Sequence, residues 1–294
     1  MLIQSLKEQF QANQIDKWTY IDQMYAQHSL FFDYARFLED TNISKIEIEN
    51  GRVIMTFRDS GVRFICSQGD KRLAPFESLN FGDYESEELH MQQRLIEDGQ
   101  CVLDIGGNYG WYCMHMAKKF PKAHIFSFEP IPHTHQLMVE NLAVNGIQNV
   151  DALKFGLSDA DGSFQFYYDP ALSVNASLKN LTGKNTVEGV ACEVKTLDGY
   201  WANRNEAIHF IKCDVEGAEL LVYKGAPKTL QVHKPIIFSE MLRKWTAQFG
   251  YHPNDIIDYL AGFGYQPYVL SGKGLKVFGR VDDNTRETNY FFLH

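Results

Sequence analysis

The chain has 294 residues, 45% of them hydrophobic, and a formal charge of −9. That length and apolar content suit a sizeable core, as one large domain or a domain with a smaller appendage. The acidic balance disfavours nucleic acid as a partner, and no stretch reaches the ~20 apolar residues of a membrane span.

Five cysteines, odd in number and without a C-x-x-C pair, read as reduced thiols. The opening MLIQSLKEQFQANQ has no long apolar core of a secretory signal. Together these give a cytoplasmic expectation, under which the glycosylation-type triplets at Asn175 and Asn180 are incidental.

Residues 16–40 carry Trp18, Ile21, Tyr25, Phe32, Ala35 and Leu38 at helical spacing. This predicts a helix that covers a core or joins another subunit. SKIEIENGRVIMTF follows, with alternating apolar residues around Asn50-Gly51, a type I′ hairpin signal, and VRFIC adds a third strand. Residues 1–84 thus read as a small helix-and-hairpin appendage, and residues 85–294 as the main domain.

In the main domain Ser86 is placed to cap a helix that Gly99 ends. Short apolar runs then alternate with helical segments. CVLDI, HIFSF, NVDALKF, HFIKC and KPIIFSE are strands, with helices from about 110 to 119 and from 132 to 146 between the first three. YQPYVL and NYFFLH add late strands, the last antiparallel. Continuous apolarity marks strands buried on both faces, and the alternation predicts an α/β fold with a mostly parallel sheet.

The turn after CVLDI reads D-I-G-G-N-Y-G: Asp104, Gly106, Gly107, Asn108 and Gly110. Glycines let a ligand approach bare backbone. The nicotinamide-dinucleotide pattern G-x-G-x-x-G is absent, and Asp104 would repel a pyrophosphate. A ligand bearing an ammonium or sulfonium is the better guest. FSFEP ends in Glu129, where an acid can accept hydrogen bonds from an adenosine ribose.

IKCDVEGAELLVYKGA delivers Asp214 and Glu216 at a strand's end, two apart and so pointing the same way. IIFSE ends in Glu240 on the next strand. Three such carboxylates persist if they face a cationic ligand, a metal or a proton to be taken. His252 in GYHPND is a second candidate base. The three acids also suit Mg²⁺, which prefers hard oxygen donors.

The ordered set VLDIGGNYGWY, FSFEPIPHTHQLMVENLAVNG, GLSDADG, VKTLDGY, IKCDVEGAELLVYKGA and IIFSE, with YESEE ahead of it, resembles the FkbM family of methyltransferases over residues 84–294. The resemblance implies a Rossmann-like class I methyltransferase fold: seven strands, mostly parallel, with helices on both faces. It implies transfer of methyl from S-adenosylmethionine to a hydroxyl, mostly of sugars in glycans and glycolipids and sometimes of natural products such as polyketides.

By that resemblance Asp104, Gly106, Gly107, Asn108 and Gly110 line the methionine part. Glu129 and Pro130 sit at the ribose, Gly156, Leu157 and Ser158 border the adenine, and Glu85 closes over the cofactor. Asp214 joins the cofactor site, and Asp214, Glu216 and Glu240 surround the acceptor hydroxyl. Gly107 stands where the family more often has alanine, a change expected to be harmless.

The polar stretch 169–189 lies on the acceptor side in this reading. Ser173, Asn175 and Ser177 are candidates to hydrogen-bond a sugar, with Trp245 or Tyr251 stacking on it. The rivals are a nicotinamide-dependent oxidoreductase, a non-catalytic nucleotide-binding module and, less in keeping with the charge, an RNA methyltransferase. Homo-oligomer contacts are assigned to the N-terminal region.

Overall fold

In the computed structural model, residues 2–168 and 188–294 are described. Three helices, α1 (Leu2–Gln11), α2 (Lys17–His28) and α3 (Leu30–Phe37), precede an antiparallel sheet of β1 (Ile43–Glu49), β2 (Arg52–Phe57) and β3 (Arg63–Cys66). Asn50 and Gly51 both hold positive φ, 51° and 74°, as a type I′ hairpin requires. The expected single helix over 16–40 is two consecutive helices broken at Ser29, and neither α2 nor α3 buries a residue. They therefore do not cover this chain's core.

The hairpin sheet does. Ile43, Met55, Phe57, Val62 and Phe64 share one apolar cluster with Trp111, Tyr112, Cys113 and Met114. The appendage and the main domain are thus welded through a common core.

α4 (Ala74–Phe81) and α5 (Ser86–Leu95) lead to the main body. Glu85, not Ser86, is the cap of α5; Ser86 is its first helical residue. The helix stops at Leu95, with Ile96 extended, short of Gly99.

Next come β4 (Cys101–Ile105), α6 (Trp111–Lys119), β5 (His124–Phe128), α7 (Pro132–Val144) and β6 (Val150–Leu153). A side sheet follows, of β7 (Gly156–Leu157), β8 (Gly162–Tyr168) and β9 (Glu188–Lys195) in the order β7-β9-β8. The chain then returns through α8 (Leu197–Trp201), β10 (Phe210–Cys213), α9 (Glu219–Lys224), α10 (Pro227–Val232) and β11 (Ile236–Glu240). It ends with α11 (Arg243–Thr246), α12 (Pro253–Ala261), β12 (Gln266–Ser271), β13 (Gly274–Val277) and β14 (Asn289–Leu293).

The main sheet runs β13-β12-β14-β11-β10-β4-β5-β6. From β6 to β11 the neighbours are parallel, while β14 is antiparallel to both β11 and β12. This is the seven-stranded class I arrangement, extended by β13 as an eighth strand in a terminal hairpin. The strand order reverses between β4 and β10, which opens a crevice beyond their carboxyl ends.

Candidate active site

Each side of that crevice is built by a strand that runs out of apolar residues. β4 is buried throughout and ends at Ile105, and the turn follows at once. Gly106 has φ +79°, and a Cβ there would lie 1.8 Å from the Asp214 carbonyl oxygen. Only glycine lets the β4 and β10 loops cross so closely.

The turn's amides are satisfied within the protein. Gly106 and Gly107 donate to the Phe128 carbonyl, Gly110 donates to Gly107, and Asn108 N–H donates to Glu129 Oε2 at 3.0 Å. Those donors are committed, so they do not form the amide cradle a pyrophosphate needs. That agrees with the exclusion of a dinucleotide drawn from the missing G-x-G-x-x-G pattern.

Asp104 itself lies beneath the turn, 2% exposed, rather than in the cleft. Its Oδ2 accepts from Ser127 Oγ at 2.9 Å. Its Oδ1 stands 3.5 Å from Lys212 Nζ, which lies equally 3.5 Å from Asp214 Oδ2 and donates to the Gly106 carbonyl at 2.8 Å. Motif reading did not single out Lys212, which ties Asp104, Asp214 and the glycine turn together. Its signal was present, a single lysine inside the buried run FIKC.

Gly107 suits its surroundings. A Cβ there would fall 2.0 Å from Ser127 Oγ, so Ser127 occupies the space an alanine would need.

The three acids converge. One carboxylate oxygen each from Asp214, Glu216 and Glu240 lies within 4.8 Å of the others. Glu216 holds a left-handed φ of +53° and Gly217 one of +97°, which turns the chain back toward the cluster. Glu219, 1% exposed, fastens this turn by accepting from Val215 and Gly217 amides at 3.1 and 2.9 Å. Burial, then the charge of Asp214, pushes the Glu216 and Glu240 carboxyls well above the ordinary range. They hold a proton more tightly than an ordinary carboxylate does.

Across the cleft Glu85, itself in the left-handed region at φ +46°, accepts from Tyr112 Oη at 2.8 Å. Burial raises its pKa, and the nearby Asp214 adds to the rise. Tyr84, Glu85, Asn108, Tyr112, Lys212 and Asp214 line this cleft, and Arg72 reaches its edge.

Glu129 is 5% exposed, and its Oε1 accepts from Ile131 N–H at 2.8 Å. It ties β5's end to the glycine turn, and burial lifts its carboxyl to about 7. Gly156 comes beside Pro130, a Cβ there lying 3.5 Å from its ring. Leu157 and Ser158 are both buried, Leu157 in an apolar cluster with Phe128 and Phe155, and the Ser158 carbonyl packs against Gly225.

Other expected contacts fall elsewhere. His252 is exposed and caps α12: its Nδ1 accepts from Asn254 N–H at 3.2 Å, while its own amide donates to Asp255. It stands as a helix cap, not a base. Tyr251 Oη donates to the Gly217 carbonyl at 2.6 Å, so its hydroxyl braces the acidic turn. Trp245 backs directly onto Gly217, with Lys244 Nζ 4.2 Å from its ring centroid. Ser173, Asn175 and Ser177 lie outside the described residues.

A model of the methyltransferase FkbM domain matches residues 104–267. Methyltransferase sdnD of Sordaria araneosa is 32% identical over 173 residues, covering 49% of this chain and 66% of that protein. Hexuronic acid methyltransferase AglP of Haloferax volcanii is 30% identical over 150 residues, covering 50% of this chain and 58% of that protein. 2-O-methyltransferase NoeI of Sinorhizobium fredii is 27% identical over 146 residues, covering 44% and 58%. The chain thus spans about three-fifths of the length of these curated relatives.

Proposed function

The chain belongs to the FkbM methyltransferase family, and from that premise we propose that it transfers the methyl group of S-adenosylmethionine to a sugar hydroxyl. The observation that carries this reading is the Asp214–Glu216–Glu240 cluster beside the cleft over the glycine turn.

The donor is cationic at sulfur and zwitterionic at its methionine end. The cleft offers Glu85 and Asp214 to the positive groups and Arg72 to the carboxylate. Glu129 at the end of β5 serves the ribose hydroxyls in this reading.

An alcohol is a poor nucleophile, so the reaction needs alignment and a proton acceptor. The hydroxyl oxygen bonds to the methyl carbon as the carbon–sulfur bond breaks. S-adenosylhomocysteine leaves neutral at sulfur, and the hydroxyl proton passes to a carboxylate. Glu216 or Glu240, raised in basicity by burial and by Asp214, takes it. A positioned base of this kind contributes roughly 10²–10⁴-fold in rate.

A sugar is favoured as acceptor by the name of the relative AglP, a hexuronic acid methyltransferase, and transfer to oxygen by that of NoeI, a 2-O-methyltransferase. A carboxylate acceptor would need no base, so the acidic cluster favours ether over ester formation.

The same three acids fit Mg²⁺ in donor type, each offering a hard oxygen. Bound there, the ion would polarise the acceptor hydroxyl as a Lewis acid. Exhaustive chelation tests this: undiminished turnover removes the metal from the reaction.

The deciding experiment supplies methyl-labelled donor with uronic-acid-containing and neutral oligosaccharides. Label in a base-stable methyl ether supports the reading. Label only in a base-labile ester, or no transfer together with no melting shift from S-adenosylhomocysteine, overturns it.

A further inference from the structure

The stretch from Lys17 to Phe37 is helical but for Ser29, whose backbone stays in the right-handed region at φ −60° and ψ −26°. Helices of twelve and eight residues are marginal alone in water and owe their persistence to packing of an apolar face. Yet neither helix buries a single residue against the rest of this chain. Tyr20 stacks on Phe10 of α1, but most of their apolar residues face outward, with Trp18 72% and Phe32 65% exposed.

The spacing of those residues is regular. Trp18, Tyr25 and Phe32 recur every seven positions, and Ile21, His28 and Ala35 follow each by three. That is the seam of a helix meant to pair with another helix. Phe31 lies beside it, while Tyr34 and Phe37 project from the far side of α3. Trp18, Tyr25, Phe31 and Phe32 present on the order of 500 Å², taking roughly 200 Å² for each ring-bearing side chain. A stable interface buries about 800 Å² per partner, of which about 65% is apolar in homodimers, or roughly 500 Å².

Charge selects the occupant. The chain carries −9, but each of these helices is balanced: Lys17 against Asp22 on α2, Asp33 against Arg36 on α3. An anionic lipid surface finds no excess of basic residues there. A second copy meets the seam without net repulsion, and one patch serves both partners in a two-fold pair.

We infer that residues 17–37 form a homodimerisation helix, pairing with the same helix of a second copy and leaving the catalytic crevice free. Sedimentation of the full chain from 1 to 100 μM tests this, with Phe32→Glu, Trp18→Glu and, as a surface control, Val232→Glu. The expected result is a species of twice the 33.8 kDa chain mass. Phe32→Glu and Trp18→Glu should each raise the dissociation constant at least tenfold, with far-ultraviolet circular dichroism and the S-adenosylhomocysteine melting shift retained, and Val232→Glu should leave it unchanged. A monomer throughout that range overturns the inference. So does a dimer insensitive to both helix substitutions, or flotation of the wild-type chain with neutral phosphatidylcholine vesicles in place of self-association.

Discussion

Lys212 and Asp104 face one another across the β10–β4 pairing, with Nζ 3.5 Å from Oδ1 and both side chains almost wholly buried. Burial alone would lower the lysine's pKa, but Asp214, Asp104 and Glu85 outweigh it and push the value up. The ammonium therefore stays charged. It serves as the fixed counterion that lets acids gather at the strand ends before any ligand arrives.

Removing that counterion should be costly. Lys212→Met leaves a carboxylate buried without its partner, a loss of about 3–5 kcal/mol. Asp104→Asn should destabilise for the mirror reason. Chemical denaturation of both singles and the double variant checks this: the double should lose clearly less than the sum, because the two side chains form one interacting unit.

The glycine turn gives a second, sharper expectation. Gly106→Ala meets the Asp214 carbonyl at 1.8 Å in a left-handed backbone, and nothing nearby is flexible. It should cost about 2–4 kcal/mol. Gly107→Ala meets chiefly Ser127 Oγ at 2.0 Å, with Met138 Sδ at 3.3 Å and Asp104 Oδ2 at 3.4 Å. It should cost about 1–3 kcal/mol alone, and Ser127→Ala should recover much of this by deleting the obstructing hydroxyl. Melting temperatures of the three variants decide the matter.

The strands that carry the site were legible because each is a short, mostly apolar run with an acid at or beside its end: CVLDI with Asp104, HIFSF before Glu129, HFIKC before Asp214, and IIFSE. Strand direction alone then brings Asp214 and Glu240 to one edge. What escaped was side-chain competition. His252 and Asp255 fit a reciprocal cap around Pro253, and that local hydrogen bonding took the histidine out of the site. Residues 16–40 showed helical spacing correctly, but periodicity reports an apolar face and not what covers it.

Proton linkage sets an expected pH profile. Burial lifts Glu129 and Glu219 from an ordinary 4.5 to about 7. Between those values the folded chain holds more protons than the unfolded one, so stability falls as pH rises from 4.5 to 7. The slope is at most about 1.4 kcal/mol per pH unit per group. His115, lowered by burial from 6.5 to about 4, acts oppositely, adding stability as pH rises from 4 to 6.5. Two carboxyls outweigh one imidazole, so denaturation at pH 5 and pH 7 should find the chain more stable at pH 5. Glu129→Gln should flatten that difference. Donor affinity should run the other way, since ribose hydroxyls donate best to the carboxylate: weaker by up to about tenfold per unit below pH 7.

The carboxylate cluster yields the prediction closest to the chemistry. Glu240→Gln keeps shape and hydrogen bonding at the end of β11 but cannot accept the hydroxyl proton. Turnover should fall by roughly 10²–10⁴-fold, while S-adenosylhomocysteine affinity stays within about twofold of wild type. Asp214→Asn should differ in kind. Asp214 faces Lys212 and lines the cleft, so cofactor affinity and turnover should fall together. Glu216→Gln separates the remaining cases: if Glu216 is the base, its variant and not Glu240→Gln loses the rise of turnover with pH. Full turnover in both glutamine variants would remove Glu216 and Glu240 as the proton acceptors.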